Sequence, residues 1–196
     1  HHYNHILTHS SMKKIFILAL FTTLTVFSCF KAQAIDPPFS EGTIIANANI
    51  GFLPGIGVNA SGEYVLVDYW WQGHFAVGGY AGYNIRTFRD NDIRYWYSCT
   101  SFMPRASYGI NITEDFETHA GIMMGFCYRT ASWHTQNLED MDFRASFMFE
   151  MAGFAGARYR LTDFLYANAE FVFCSNFSPL GGIRPPYINV GLSFVF

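Results

Sequence analysis

Charge is scarce in this sequence, and long apolar runs are scarcer. Only 14% of its residues are Asp, Glu, Lys or Arg, where a soluble domain usually carries about 25%, so water is not expected to cover the whole surface. The net charge of -3 holds no basic excess, and nucleic acid is not expected as a partner. Cysteine is sparse too. Past the apolar leader only Cys99, Cys127 and Cys174 remain, an odd set without a CxxC pair, which excludes a disulfide framework and zinc-finger spacing. Export would permit one disulfide, and the sequence does not choose the pair. His74, His119 and His134 show no ligand spacing, so neither a metal nor a cofactor is expected.

The one long apolar run, Ile15 to Phe30, follows Met12-Lys13-Lys14 and ends near Ala32-Gln33-Ala34. A basic start, a short apolar stretch and a small-x-small site describe a secretory signal peptide cleaved after Ala34. The run is short for a membrane anchor, and Val26-Phe27-Ser28 before Cys29 is a poor lipoprotein signal. The expected organisation is residues 1–11 as an upstream remnant, 12–34 as signal peptide, 35–42 as a periplasmic segment and 43–196 as one domain.

What the mature chain does have is alternation. Apolar and polar or small residues alternate with the two-residue period of strands. In the last segment Ile188, Val190, Leu192, Phe194 and Phe196 share one face, and Asn189, Gly191, Ser193 and Val195 the other. Seven further segments read the same way, among them Ile44 to Phe52, Val65 to Trp71, Phe75 to Arg86 and Arg105 to Ile112. In the second, Val65, Val67, Tyr69 and Trp71 are expected to face outward and Trp70 inward. Connectors are expected to alternate between tight turns (Gln72-Gly73, Thr113 to Asp115, Thr162-Asp163) and longer loops (Pro54 to Gly62, Arg89 to Arg94, Thr135 to Asp142, Asn176 to Pro186).

Nearly all charge falls on the polar face. A soluble sandwich or ligand-binding barrel would place its charges outside and its apolar side chains inside. The inversion predicts an all-β, eight-stranded antiparallel up-and-down barrel that turns its apolar face to lipid. Asp68, Arg86, Arg105, Glu117, Glu150, Arg158 and Glu170 are expected to share its interior, with Arg158 and Glu170 as partners.

The row Ile188, Val190, Leu192, Phe194 and Phe196 resembles the C-terminal assembly signal of outer-membrane barrels. Gly78-Gly79-Tyr80-Ala81-Gly82-Tyr83, Arg105-Ala106-Ser107-Tyr108-Gly109 and Gly153 to Tyr159 resemble the small OmpX/OmpA-like outer-membrane β-barrel family of Gram-negative bacteria. The likeness covers about Gly42 to Phe196. It implies location in the outer membrane, contact with its lipids and lipopolysaccharide, insertion by the barrel assembly machinery, and loops open to an extracellular ligand. Family roles vary widely, so fold and location follow more firmly than activity.

Ser107, Glu117 and His119 are the nearest approach to a catalytic set, and some eight-stranded barrels modify lipid A. A hydrolase or acyltransferase is therefore the alternative. Polar side chains filling a barrel explain the same residues, and a non-enzymatic structural or surface-interaction role is the expected one. Arg89 to Asp92, Arg94 to Tyr97 and Asn176 to Tyr187 are the stretches expected to contact a partner.

Overall fold

The computed structural model describes residues 39–53, 55–71, 73–90, 93–135, 143–175 and 187–196. The leader, its expected cleavage site and the connectors at 136–142 and 176–186 lie outside the described residues. Eight strands run β1 Ile44–Phe52, β2 Ile56–Trp70, β3 Gly73–Asp90, β4 Ile93–Thr113, β5 Phe116–Thr135, β6 Phe143–Arg160, β7 Leu165–Ser175 and β8 Ile188–Val195. Each pairs antiparallel with the next and β8 pairs with β1, closing a barrel. Closure leaves no unpaired sheet edge, which a strand structure in lipid requires.

The alternation sets the two faces. In β1, Asn47, Asn49 and Gly51 are buried while Ile44, Ala48, Ile50 and Phe52 are exposed. In β5, Glu117, His119, Met123, Cys127 and Arg129 are buried and Ile122, Met124, Phe126 and Tyr128 are exposed. The apolar exterior is flanked by aromatics. Phe116 pairs in register with Tyr159, and Trp70, Trp71, Tyr159 and Phe196 lie exposed at the end that carries the short turns. At the other end Phe126 packs edge-on against Phe149 and Tyr128 against Phe147. One step further outward the surface turns polar, and Ser98 and Thr130 hydrogen-bond at 2.6 Å.

Three features depart from the sequence expectation. Most of the expected loop at Pro54 to Gly62 is strand, because β2 begins at Ile56 and pairs with β1 from Phe52↔Ile56 onward. Its Gly57, Asn59 and Ser61 look like turn residues, yet they are the lumen face of a strand whose outward face is Ile56, Val58 and Ala60. Second, the β2–β3 register shifts at Val65/Val67 and again at Val67/Trp70. Val65 is 0% exposed, against the outward position expected, because it continues the inward row of Ser61 and Glu63, and the bulges after it break the phase, leaving Val67 46% and Trp70 54% exposed. Third, β3 and β4 run on to Asp90 and Ile93, so the expected Arg89 to Arg94 loop shrinks to residues 91–92.

β3 to β6 are thereby 18, 21, 20 and 18 residues long. At about 3.3 Å per residue and a tilt near 40°, 21 residues rise about 50 Å, roughly twice the lipid-facing band of such barrels. Beyond the ends of β1, β2, β7 and β8, these four strands continue as an open four-stranded extension.

Phe39 shapes the turn end. It is 0% exposed and packs with Ile45, Val65, Ala76 and Tyr166, its ring edge-on to His74 at 5.2 Å and to Tyr166 at 5.4 Å. The chain before β1 is tied down by Gly42 N donating to Val65 O and Glu41 N to Asp68 Oδ2. Residues 39–42 thus cap the turn end of the lumen with an aromatic side chain.

Candidate functional site

The lumen beneath Phe39 holds the chain's concentration of buried charge. Glu63, Glu117, Glu150 and Glu170 are buried there with Arg105, Arg129, Arg158, His74 and His119. Charges held away from water persist only when paired and hydrogen-bonded, and the barrel register supplies the partners.

Glu117 and Arg158 are direct cross-strand neighbours on β5 and β6, and Arg158 Nη1 donates to both Glu117 oxygens at 3.1 and 3.2 Å. Arg158 Nη2 donates to Glu63 Oε1 at 3.0 Å. Arg105 Nη2 lies 3.2 Å from the same oxygen and donates to Glu170 Oε2 at 2.9 Å, and its guanidinium sits 3.9 Å over the Phe154 ring. His74 Nε2 approaches Glu117 Oε1 at 3.4 Å, and His119 Nε2 approaches Glu170 Oε2 at 3.5 Å. Asn47 and Ser61 extend the network, Asn47 Nδ2 donating to Ser61 Oγ and Glu63 Oε1 at 2.9 and 3.1 Å. A parallel chain of amides runs from Asn168 to Asn49 to Asn59 to Asn189, with bonds of 2.8–3.0 Å.

Several of these contacts skip a strand, and glycine makes that feasible. On the lumen face Glu63 is in register with Gly78, and Gly78 with Arg105. His119 is in register with Gly156, and Gly156 with Glu170. A Cβ on Gly156 would stand 2.7 Å from His119 Nε2 and 2.6 Å from the Ala169 carbonyl oxygen, in the space the imidazole uses to reach its carboxylate. Without a side chain on the middle strand, residues two strands apart can meet.

Of the residues expected inside, Arg105, Glu117, Glu150, Arg158 and Glu170 are buried in the lumen. Two are not. Asp68 is half-buried past the β2 bulge, where it accepts the Glu41 amide. Arg86 is exposed, because β2 ends its pairing with β3 at Ile56↔Ile85 and beyond that height β3 is flanked on one side, by β4 through Arg86↔Tyr97. The expected pairing of Arg158 with Glu170 is replaced: Arg158 bonds Glu117 and Glu63, and Glu170 bonds Arg105. Glu63, His74 and Arg129 were not among the expected interior charges. Glu63 sat at the edge of the supposed loop, although its alternation with Ser61 and Asn59 was a usable signal.

Ser107 and His119 do not form a nucleophile and base. The Ser107 hydroxyl donates to Glu63, and His119 turns to Glu170, whereas activation needs the base within hydrogen-bond reach of the hydroxyl. Glu117 is taken by Arg158.

Nearer the loop end is an apolar layer of Tyr80, Met103, Met123, Ala152, Phe154 and Val172. Above it Arg129 pairs with Glu150, and Cys99 and Cys127 form a disulfide between β4 and β5. On the outer face at the turn end, Trp70, Trp71 and Tyr108 line a cleft of about 320 Å³. The Tyr108 hydroxyl fixes its shape by donating toward the Trp70 and Trp71 carbonyls, 2.7 and 2.8 Å away.

No family model and no curated protein matches the chain. Among solved structures it is similar to a major outer membrane protein from Thermus thermophilus, with a TM-score of 0.54 and 11% identity over 79% of this chain and 99% of that one. It is also similar to Ail, the attachment invasion locus protein of Yersinia pestis, in complex with the heparin analogue sucrose octasulfate (TM-score 0.49, 15% identity, 79% of this chain and 95% of that one). The N-terminal β-barrel domain of Pseudomonas aeruginosa OprF gives a TM-score of 0.47 at 15% identity, over 81% of this chain and all of that one. The closed strand order, the apolar exterior and the likeness to the Thermus barrel show the fold that the sequence led us to expect: an all-β, eight-stranded, antiparallel transmembrane barrel.

Proposed function

We propose that the chain is a non-enzymatic protein of the bacterial outer membrane, a packed barrel that carries a contact surface outside the cell. The observation that carries this reading is the extension of β3 to β6, which rises well past the aromatic rim at Tyr128 and Phe147. Longer segments of such barrels face outward and short turns face the periplasm, so the extension is the extracellular part. There Trp96 is exposed beside Tyr97, Ser98 and Thr100, an aromatic and polar mixture suited to a partner's surface. Export by the signal peptide with cleavage after Ala34, insertion by the barrel assembly machinery, and contact with lipopolysaccharide along the exposed face belong to the same reading.

The interior supports the non-enzymatic part, since Ser107, Glu117 and His119 are each committed to ion pairs or hydrogen bonds of the lumen network. An epitope inserted at residues 91–92 tests the orientation: antibody should reach it on intact cells, and reaction only after the outer membrane is opened would reverse the assignment. The lipid A mass spectrum before and after overexpression tests the enzymatic alternative. It should be unchanged, and a gained or lost acyl chain would overturn the reading.

A further inference from the structure

We propose that Cys99, Cys127 and Glu150, with Met148 beside them, form a site for a thiophilic metal cation that the disulfide keeps closed. Sequence spacing hides it, because Cys99 and Cys127 stand 28 positions apart. The barrel brings them together. Cys99 is in register with Arg129 and Cys127 with Ser101, so the two sulfurs face the lumen on neighbouring strands, two positions out of step. One oxygen of Glu150 and the two sulfurs all lie within 4.8 Å of one another, a separation that one ion can bridge. Met148 is the register partner of Cys127 and its Sδ lies 3.3 Å from Arg129 Nη1. A third sulfur thus stands next to the set.

An independent observation points to a ligand. Glu150 is 2% exposed, and while Oε1 meets Arg129, Oε2 has no hydrogen-bond partner among the described residues. A buried carboxylate oxygen left unmatched keeps the full cost of its desolvation, and a cation held with the two sulfurs would satisfy it. The charges also close: two thiolates and a carboxylate around a divalent ion leave one negative charge, with the Arg129 guanidinium alongside. Thiolate and thioether sulfur select soft ions such as Zn2+ over Mg2+ or Ca2+.

The site lies at the rim of the closed barrel, which gives it an entrance. Cys99 is level with Asn84, and Asn84 with Gly57, one residue from the end of β2. Among the described residues, the β3 to β6 extension alone continues above that height. Opening the site consumes two electrons and two protons, delivered by two equivalents of a thiol or by one dithiol exchange partner that leaves as its own disulfide. Metal binding then releases the two thiol protons. The disulfide state and the metal-bound state exclude each other, which makes the site a redox-gated one.

The test is Zn2+ titration of the full chain folded in detergent, with a chromophoric chelator as competitor, before and after reduction by a phosphine. The reduced protein should bind about one equivalent more than the reduced double variant Cys99→Ser/Cys127→Ser, a difference that cancels any contribution of the histidines near the N-terminus. The oxidised protein should show no such difference. Glu150→Gln should weaken the extra equivalent by at least about ten- to a hundredfold, since the loss of a group that merely supports a ligand already costs a metal site that much. Should the double variant fail to fold, the unmutated reduced chain still decides: Zn2+ should protect Cys99 and Cys127 from alkylation, mapped by mass spectrometry, and leave Cys174 unprotected. Equal Zn2+ uptake in both redox states, or alkylation of Cys99 and Cys127 unaffected by Zn2+, would overturn the proposal.

Discussion

Arg158 shows how far a single side chain can hold a lumen together. It is 1% exposed and touches Glu117 with one nitrogen and Glu63 with the other, so truncation strands two carboxylates at once. Removing one partner of a buried pair costs about 3–5 kcal/mol, and Arg158→Ala is expected to fall in that range by urea unfolding in detergent. Adding Glu117→Gln should return part of the loss, because the amide needs no counter-charge. Strictly additive losses would show that the two residues do not interact. Glycine at 156 makes the complementary case. Gly156→Val would push side-chain atoms between His119 and Glu170 and against the Ala169 carbonyl, and overpacking of this kind costs about 1–3 kcal/mol. An unfolding midpoint equal to that of the unmutated protein would mean that the His119 to Glu170 contact does not depend on the missing side chain.

Among the elements, β8 shows what strand alternation can reveal and β2 what it cannot. The outward row Ile188, Val190, Leu192, Phe194 and Phe196 needs only the two-residue period, and Phe196 also closes the barrel by exchanging backbone hydrogen bonds of 2.9 Å with Ile44. Deleting Phe196 should therefore slow or abolish assembly while synthesis and export continue, read from the heat-dependent shift in gel mobility. Normal yield of the folded form would remove the residue from the assembly signal. In β2 the same rule failed twice. Small polar residues facing a narrow lumen have the composition of a loop, which hid Ile56 to Gly62 and with it the inward row that Val65 continues, and the bulges beyond Val65 shifted the phase, which turned Trp70 outward. The interior cluster was readable where strands are regular, as for Arg105, Glu117, Arg158 and Glu170. It was not readable at Asp68, past a bulge, or at Arg86, past the end of a neighbour. Partner choice was hidden as well, since the glycine gaps that join Glu63 to Arg105 and His119 to Glu170 depend on inter-strand register, which turn lengths alone did not supply.

For the whole molecule, the stacked interior decides whether the barrel conducts. Eight strands leave room for little beyond side chains, and here that room is filled in layers: Phe39 and its apolar neighbours at the turn end, then the Glu63, Arg105, Arg158, Glu117 and Glu170 network, then Tyr80, Met103, Met123 and Phe154. In the charged layer three buried carboxylates face two buried guanidiniums and two imidazoles among the described residues, close enough to neutrality that the layer is held by attraction rather than forced apart by like charge. An ion crossing the lumen would have to break that network and then pass an apolar layer without hydration. The unmutated protein should accordingly show no large steady conductance in a planar bilayer. Phe39→Ala sharpens the test, because it opens the outermost layer and leaves the two beneath it intact. It should remain non-conducting even though it gives water access to His74, whose ring Phe39 now covers. A steady current through Phe39→Ala but not through the unmutated protein would make Phe39 the only barrier and the charged layer a hydrated path. A large current through both would mean that the side-chain layers do not close the barrel in a membrane.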